Sequence, residues 1–151
     1  MAALMMLRGH PRVEFMSGRI PSLAYGFLIE DANMEHFAHY FFKKRSLNPK
    51  PDRLSSVMEG IALSACELIP TYLVDARRSI PAVRREVVVV EQADGSLGWL
   101  LVLRDNASRA NLEVNTSPED LQFIREFLNI PPDVEPDWYD VPEDFWPKGG
   151  A

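Results

Sequence analysis

The sequence has little of what most catalytic and metal sites require. Its 151 residues include one cysteine, Cys66, and three histidines. A single cysteine excludes an internal disulfide and is typical of a reducing compartment. The eight glycines are scattered, and neither a phosphate-binding loop nor a G-x-S-x-G nucleophile elbow occurs. We therefore expect no cofactor and no enzymatic activity that depends on a linear motif.

Long apolar runs are also missing. The stretch 1–7 is apolar, but it is too short to span a bilayer and no cationic region precedes it, as a secretory signal would require. A transit peptide is a weaker alternative, because Arg8, Arg12 and Arg19 stand against a single acid, Glu14. We expect a cytoplasmic protein without a membrane partner. With 46% apolar and 25% charged residues, the composition indicates a globular domain.

The stretch 86–104 is the strongest structural signal, because two apolar runs flank Asp94-Gly95. This dipeptide between strand-forming residues predicts a β-hairpin with a two-residue turn. That turn would place Val90 opposite Trp99 and Val88 opposite Leu101. Both faces are apolar in the middle, which predicts a buried position in the sheet.

The remaining segments surround this hairpin. Alternation and turn residues predict strands at 12–16, 23–30 (kinked at Gly26) and 111–115, whereas helical periodicity predicts helices at 32–46, 53–69 and 117–130. Asp31 is the expected cap of the first helix, Pro70 is expected to end the second, and Thr116 or Ser117 to cap the third. The stretch 71–76 is ambiguous between strand and helix.

The order of elements predicts an α+β fold. We expect a mostly antiparallel sheet of four to five strands centred on the 86–104 hairpin and packed by about three helices. Residues 1–130 form the predicted domain. Residues 131–151 form a proline-rich, acidic and aromatic C-terminal tail.

His36 and His39 are weak candidates for metal ligands, because they lie one turn apart on a predicted helix. No third ligand is evident and no HExxH spacing occurs, so we expect two solvent-facing histidines and no metal. Cys66 lies near the predicted end of its helix, where the dipole disfavours a thiolate. We expect an unreactive, buried thiol.

Four arginines form the densest positive charge in the body: Arg77, Arg78, Arg84 and Arg85. Guanidinium groups suit phosphate and carboxylate, so these residues are an anion-binding candidate. The two-residue turn would also place Arg85 opposite Arg104. The alternatives are a solvated basic loop or pairing with the acidic tail. Nucleic acid is disfavoured because the basic residues share no evident surface.

The tail is the most unusual segment. It carries six acidic residues and one basic residue, and two acid–aromatic–aromatic groups recur in it. The residues that we expect to dock are Asp137, Trp138, Tyr139, Asp144, Phe145 and Trp146. They can dock on the chain's own domain or on a protein partner.

These patterns favour a non-enzymatic protein-interaction or regulatory protein that uses its C-terminal arm. The alternative is a small enzyme or ligand-binding protein with a pocket between sheet and helices, whose polar groups would be His36, His39, Tyr40, Arg84 and Arg85. Self-association through an uncovered sheet edge is a third hypothesis.

Overall fold

The computed structural model describes residues 22–48, 64, 67–81, 83–84 and 86–142. In chain order, these residues form β1 (Leu23–Ile29), α1 (Asp31–Lys44), α2 (67–76), β2 (Val88–Glu91), β3 (Leu97–Asp105), α3 (Arg109–Glu113), α4 (Pro118–Leu128) and β4 (Asp137–Asp140). The predicted mixture of helices with an antiparallel sheet is confirmed. The predicted strand 12–16, most of the predicted helix 53–69 and the side chain of Cys66 lie outside the described residues.

The four strands are hydrogen-bonded in the order β1-β3-β2-β4, and the sheet closes on itself. All strand pairs are antiparallel. β1 is paired on both sides, with β3 along 24–29 and with β4 along 23–26. β2 and β4 meet only where Glu91 pairs with Asp140. The 86–104 hairpin therefore supplies two of the four strands, and β1 links them to β4.

The hairpin is present, but its predicted register is wrong by one residue. Val88 pairs with Leu100 and Val89 with Trp99. The loop has three residues rather than two: the Gln92 N–H donates to the Ser96 carbonyl at 2.8 Å, and Gly95 adopts a φ of 84°. A turn followed by one left-handed residue is a common three-residue hairpin loop. Because side chains alternate along a strand, the shift changes which residues face each other.

Gly26 marks an irregularity in β1, as predicted. The β1–β3 register shifts between Tyr25 and Gly26. A Cβ atom on Gly26 would lie 1.8 Å from the carbonyl oxygen of Leu101. Only glycine permits this close approach of two backbones.

Two of the predicted helices lie close to their expected places. α4 is capped by Ser117, whose hydroxyl accepts from the Asp120 N–H at 3.1 Å, and Pro118 occupies its first turn. Asn129 ends α4 in the left-handed conformation. α1 begins at Asp31, so Glu30 rather than Asp31 is the capping residue.

Two local predictions are wrong. α2 continues through Pro70 to residue 76, because the buried side chains of Ile69 and Leu73 anchor it on both sides of the proline. The ambiguous stretch 71–76 is therefore helical. The predicted edge strand 111–115 is absent: its first three residues end α3, whose N-terminus is capped by the Ser108 hydroxyl, and α3 stops at Glu113. An alternation of only two apolar residues could not decide between the two structures.

The sheet buries side chains on both faces. One face packs against α1, α2 and α4 through Phe27, Ile29, Leu101 and Leu103. The other face fills the interior of the closed sheet, with Ala24, Val88, Val90, Leu100, Val102 and Val141. The apolar character of both hairpin faces is thus explained by two separate cores.

The predicted tail 131–151 is not seen as a separate acidic extension. Its residues 137–140, which contain no proline, form β4 and pair with Leu23–Gly26 of β1. Residues 143–151 lie outside the described part of the chain. The fold therefore incorporates the first half of the segment that the prolines and acids had suggested was a tail.

Candidate functional site

Arg84 is bound to a carboxylate of the protein itself. Its Nε donates to Asp105 at 2.8 Å, and the Asp105 side chain is fully buried. The same carboxylate accepts from the Ala107 N–H at 2.9 Å and from the Asn111 side chain at 3.0 Å. Asp105 thus accepts the hydrogen bonds that a buried carboxylate needs. Arg84 compensates its charge at the end of β3.

Arg77 is bound in the same way to a second carboxylate. Asp120 accepts from Arg77 Nε at 2.5 Å and from the Ser79 hydroxyl at 2.8 Å. The Arg77 bond is the main reason that the pKa of Asp120 is lowered, with Ser79 second. Arg78 is exposed and lies 3.5 Å from Asp75. The predicted anion site is therefore not formed by Arg77 and Arg84 together, because each binds a different carboxylate; Arg85 lies outside the described residues.

His36 and His39 are both exposed on α1. No group of three potential metal ligands occurs among the described residues. A cavity of about 20 Å³ lies between α2 and β3, and its lining includes Arg84 but neither histidine. That volume is close to the space needed by one water molecule. This cavity does not unite the polar groups expected for a ligand pocket.

Arg125 holds the segment that leads into β4. Its Nε donates to the Val134 carbonyl at 2.9 Å, and its guanidinium lies 3.1 Å from the Glu135 carboxylate. The Arg125 side chain is buried and lies 5.5 Å from the Phe27 ring centroid. An arginine of α4 therefore positions the chain that follows the helix. Glu135 of the predicted tail thus pairs with Arg125, which is not one of the four arginines predicted to bind an anion.

Of the partner-binding residues predicted in the tail, the structure describes the three that lie in β4: Asp137, Trp138 and Tyr139. Trp138 is 3% exposed, and Tyr139 packs against the interior of the closed sheet. Asp137 is exposed, and its carboxylate accepts from the Trp138 N–H at 2.7 Å. In this fold Trp138 cannot contact a partner directly, because its ring packs against Tyr25. Asp144, Phe145 and Trp146 lie outside the described residues.

Arg104, Tyr25 and Trp138 form a cross-strand row, which we call the Arg104 cluster. Tyr25 pairs with Arg104 of β3 on one side and with Trp138 of β4 on the other. The Arg104 Cζ lies 4.6 Å from the Tyr25 ring centroid and 5.4 Å from that of Trp138. Among the described residues, Arg104 forms no ion pair, and its buried Nε has no hydrogen-bond partner. A buried donor without an acceptor costs about 1–3 kcal/mol, so this atom is a candidate for ligand binding.

Burial is the largest cause of a raised pKa at Tyr25 in this cluster. The positive charge of Arg104 opposes the shift, while the negative charges of Glu135 and Asp137 add to it. The Tyr25 hydroxyl therefore stays protonated to a higher pH than that of an ordinary tyrosine. The cluster carries one positive charge with two carboxylates in its surroundings.

A second surface lies on the β2–β3 hairpin, and we call it the hairpin patch: Val89, Glu91, Leu97, Trp99 and Asp140. Trp99 is 42% exposed and Leu97 is 48% exposed, although both belong to β3. They are two residues apart, so they lie on one face of the strand. Val89 pairs with Trp99, and Glu91 pairs with both Leu97 and Asp140. The patch therefore combines large apolar side chains with two exposed carboxylates.

Glu91 and Asp140 are like charges at directly opposed positions, an arrangement that destabilises a strand pair. Neither carboxylate forms an ion pair within the part of the chain that the structure describes. A cation brought by a partner would relieve this repulsion. The geometry thus favours a ligand that carries positive charge beside an apolar group.

The described residues form an antiparallel α+β domain, and no described helix has the length and apolar character required to cross a bilayer. No family model matches the chain, and neither a curated protein nor a solved structure is significantly similar to it. Its candidate surfaces therefore depend on geometry alone.

Sequence reasoning missed the exposure of Leu97 and Trp99. It used both as evidence for a buried sheet, because an apolar run does not reveal where the helices that cover it end. It considered Arg104 only as a neighbour of Arg85, a pairing that depended on the two-residue turn. The signal that could have found the cluster is the presence of Tyr25 and Trp138 in strands, but their register requires the tertiary structure.

Proposed function

We propose that this chain is a non-enzymatic protein-interaction domain. Its binding surface combines the hairpin patch with the C-terminal arm, residues 143–151. The observation that supports the proposal best is the exposure of Trp99 and Leu97 on one strand face beside Glu91 and Asp140. Tryptophan anchors are enriched where interfaces gain most of their binding free energy.

The hairpin patch and the arm are close along the chain. Asp140 belongs to the patch, and Trp146 follows it by six residues. A chain extends by at most about 3.6 Å per residue, so the Trp146 backbone is within roughly 22 Å of the patch in any conformation. Phe145 and Trp146 can therefore contact the same partner as Trp99. The acids Glu143 and Asp144 add negative charge to that surface.

The chemistry of the surface defines the partner. Exposed carboxylates favour lysine or arginine, and Trp99 with Leu97 favours an apolar side chain between them. The proposed partner is a protein segment with an apolar anchor flanked by basic residues. A cytoplasmic location is part of the same proposal.

Selection from a displayed peptide library tests this function with the full-length chain as bait. We expect selected peptides that carry a large apolar residue flanked by lysine or arginine. The double variant Leu97→Thr and Trp99→Thr keeps residues that suit a strand and should weaken binding by about tenfold or more. His36→Ala, on the exposed face of α1, is the matched control and should bind as the unaltered chain does.

Deletion of residues 143–151 tests the contribution of the arm, and we expect weaker binding without a change in fold. Peptides that bind the double variant unchanged, or a selection dominated by acidic peptides, would contradict the proposal. A second copy of this chain is the competing occupant of the hairpin patch. Light scattering would reveal it as a mass above 17.1 kDa that returns to 17.1 kDa in the double variant.

A further inference from the structure

We propose that the Arg104 cluster binds a carboxylate monoanion, carried by a small organic acid or by an acidic side chain of a peptide. This site goes beyond the proposed interaction surface, because it consists of other residues and attracts the opposite charge. Its central group is the Arg104 guanidinium, which lies beside the rings of both Tyr25 and Trp138.

The two rings orient the guanidinium, and the Tyr25 hydroxyl accepts a hydrogen bond from it, but the Nε donor stays unpaired. A cation–π contact directs the positive charge towards a ring face, whereas hydrogen-bond acceptors lie in the guanidinium plane. The Tyr25 and Trp138 ring centroids lie 5.2 Å apart, and Trp138 is almost wholly buried. The guanidinium is therefore held on a rigid support, as a pre-organised binding group should be.

The other buried or half-buried arginines of the described chain show what Arg104 lacks. The Nε atoms of Arg77, Arg84 and Arg125 each donate to an oxygen atom of the protein. The Nε of Arg104 donates to none, although it is inaccessible to solvent. This fold supplies an acceptor to the Nε donors of the other three arginines. The unpaired Nε of Arg104 therefore indicates a position at which an acceptor atom of a ligand binds.

The surrounding charges select a monoanion. Glu135 and Asp137 lie close enough to shift the titration of Tyr25. Glu135 is also bound to Arg125, so only part of its charge opposes a ligand. One guanidinium can compensate one negative charge, whereas a phosphate dianion would meet repulsion from both acids. A carboxylate has the planar pair of oxygen atoms that matches the guanidinium fork.

The test uses the full-length chain and follows the Arg104 Nε–H resonance by NMR. Sodium acetate represents a small acid, and a blocked tripeptide with a central glutamate represents an acidic side chain. Inorganic phosphate and sodium chloride at matched ionic strength are the comparison anions. We expect a saturable shift with the carboxylates, a weaker response to phosphate and none beyond screening with chloride. Tighter binding of acetate or of the tripeptide identifies which source supplies the carboxylate.

Two variants complete the test. Arg104→Gln should weaken carboxylate binding by about tenfold or more, because it removes charge-assisted hydrogen bonds. Arg104→Lys keeps the charge but loses the fork, so it should bind more weakly than the unaltered chain. Arg78→Gln removes an exposed arginine elsewhere and should leave binding unchanged.

A response to acetate that does not saturate, or that chloride reproduces, would overturn the proposal. Unchanged affinity in Arg104→Gln would overturn it too, and phosphate binding as tight as acetate would exclude the monoanion assignment. If Arg104→Gln does not fold, the Nε–H titration of the unaltered chain and the Arg104→Lys variant decide the question.

Discussion

Buried charges join the surface segments of this protein to its core. Asp105 and Asp120 are acids that the chain withdraws from solvent, and each is bound by one arginine. Burial of a charge has a desolvation cost, so such pairs are weak evidence for net stability. Two of the four arginines predicted to bind an external anion thus have a structural role.

Asp120→Asn should destabilise the protein at neutral pH by about 1–3 kcal/mol, because it removes charge-assisted bonds from Arg77 and Ser79. The pKa of Asp120 is lowered in the folded protein, so its contribution to stability is complete above the pKa of an ordinary carboxyl group. The contribution is lost as pH falls through the lowered pKa. Urea unfolding at neutral and acidic pH should show the difference from the unaltered chain shrinking with acid.

Asp75→Asn is the matched control, because Asp75 is an exposed acid whose arginine partner is also exposed. We expect an effect of about 0–1 kcal/mol at neutral pH. An equal loss in both variants would show that the Asp120 bonds have no special stabilising role.

Tyr25→Phe should alter the alkaline limit of stability. The pKa of Tyr25 is raised, chiefly by burial, so its contribution to stability is complete below the usual tyrosine range. It is lost as pH rises from about 10 through the raised value. Denaturant unfolding between about pH 8 and pH 11 should show a smaller alkaline loss in the variant than in the unaltered chain. Parallel curves for the two proteins would contradict this assignment.

At the scale of elements, the closed sheet depends on β1. This strand pairs with β3 on one side and β4 on the other, and the shift of the β1–β3 register between Tyr25 and Gly26 places Tyr25 opposite Arg104. Arg125 of α4 then directs the connecting segment towards β4. The Arg104 cluster therefore requires a glycine, a bulge and a helix that are far apart in the sequence.

Gly26→Ala should destabilise the fold by about 3 kcal/mol or more, because the new Cβ would collide with the Leu101 carbonyl and one backbone would have to move. Thermal unfolding measures the change. Gly98→Ala is the matched control on the adjacent strand, where the nearest atom belongs to the flexible Gln92 side chain at 3.0 Å. A loss for Gly98→Ala as large as that for Gly26→Ala would refute the proposed role of close backbone approach.

At the scale of the whole molecule, the segment after Pro131 has two parts with different roles. Residues 137–140 complete the sheet, and Val141 contributes to its interior. Residues 143–151 carry the remaining acids and aromatics of the proposed arm. A truncation that removes both parts would confuse loss of binding with loss of folding.

Two truncations separate these roles. Removal of residues 133–151 should unfold the domain or lower its melting temperature markedly, because it deletes β4 and the buried Trp138 ring, whose loss alone costs about 3–5 kcal/mol. Removal of residues 143–151 should leave stability nearly unchanged and weaken partner binding. Circular dichroism melting and peptide binding measure both outcomes. Equal stability of the two truncated chains would contradict the role of β4.

The sequence by itself determined the local structure where one residue type imposes a conformation. Ser117 and Pro118 predicted the start of α4, Gly26 predicted the irregular β1, and Asp94-Gly95 predicted a hairpin. These signals succeed because caps, turns and glycines act over three or four residues. The α+β class followed from the order of such elements.

Only the tertiary structure decided the hairpin register, the recruitment of residues 137–140 into the sheet and the surroundings of each arginine. The register was settled by a three-residue loop, and a shift of one residue changes every cross-strand pair. The Arg104 cluster and the exposure of Trp99 depend on long-range pairing and on where the helices end. Such contacts join residues that have no local influence on one another, and for that reason composition and periodicity could not reveal them.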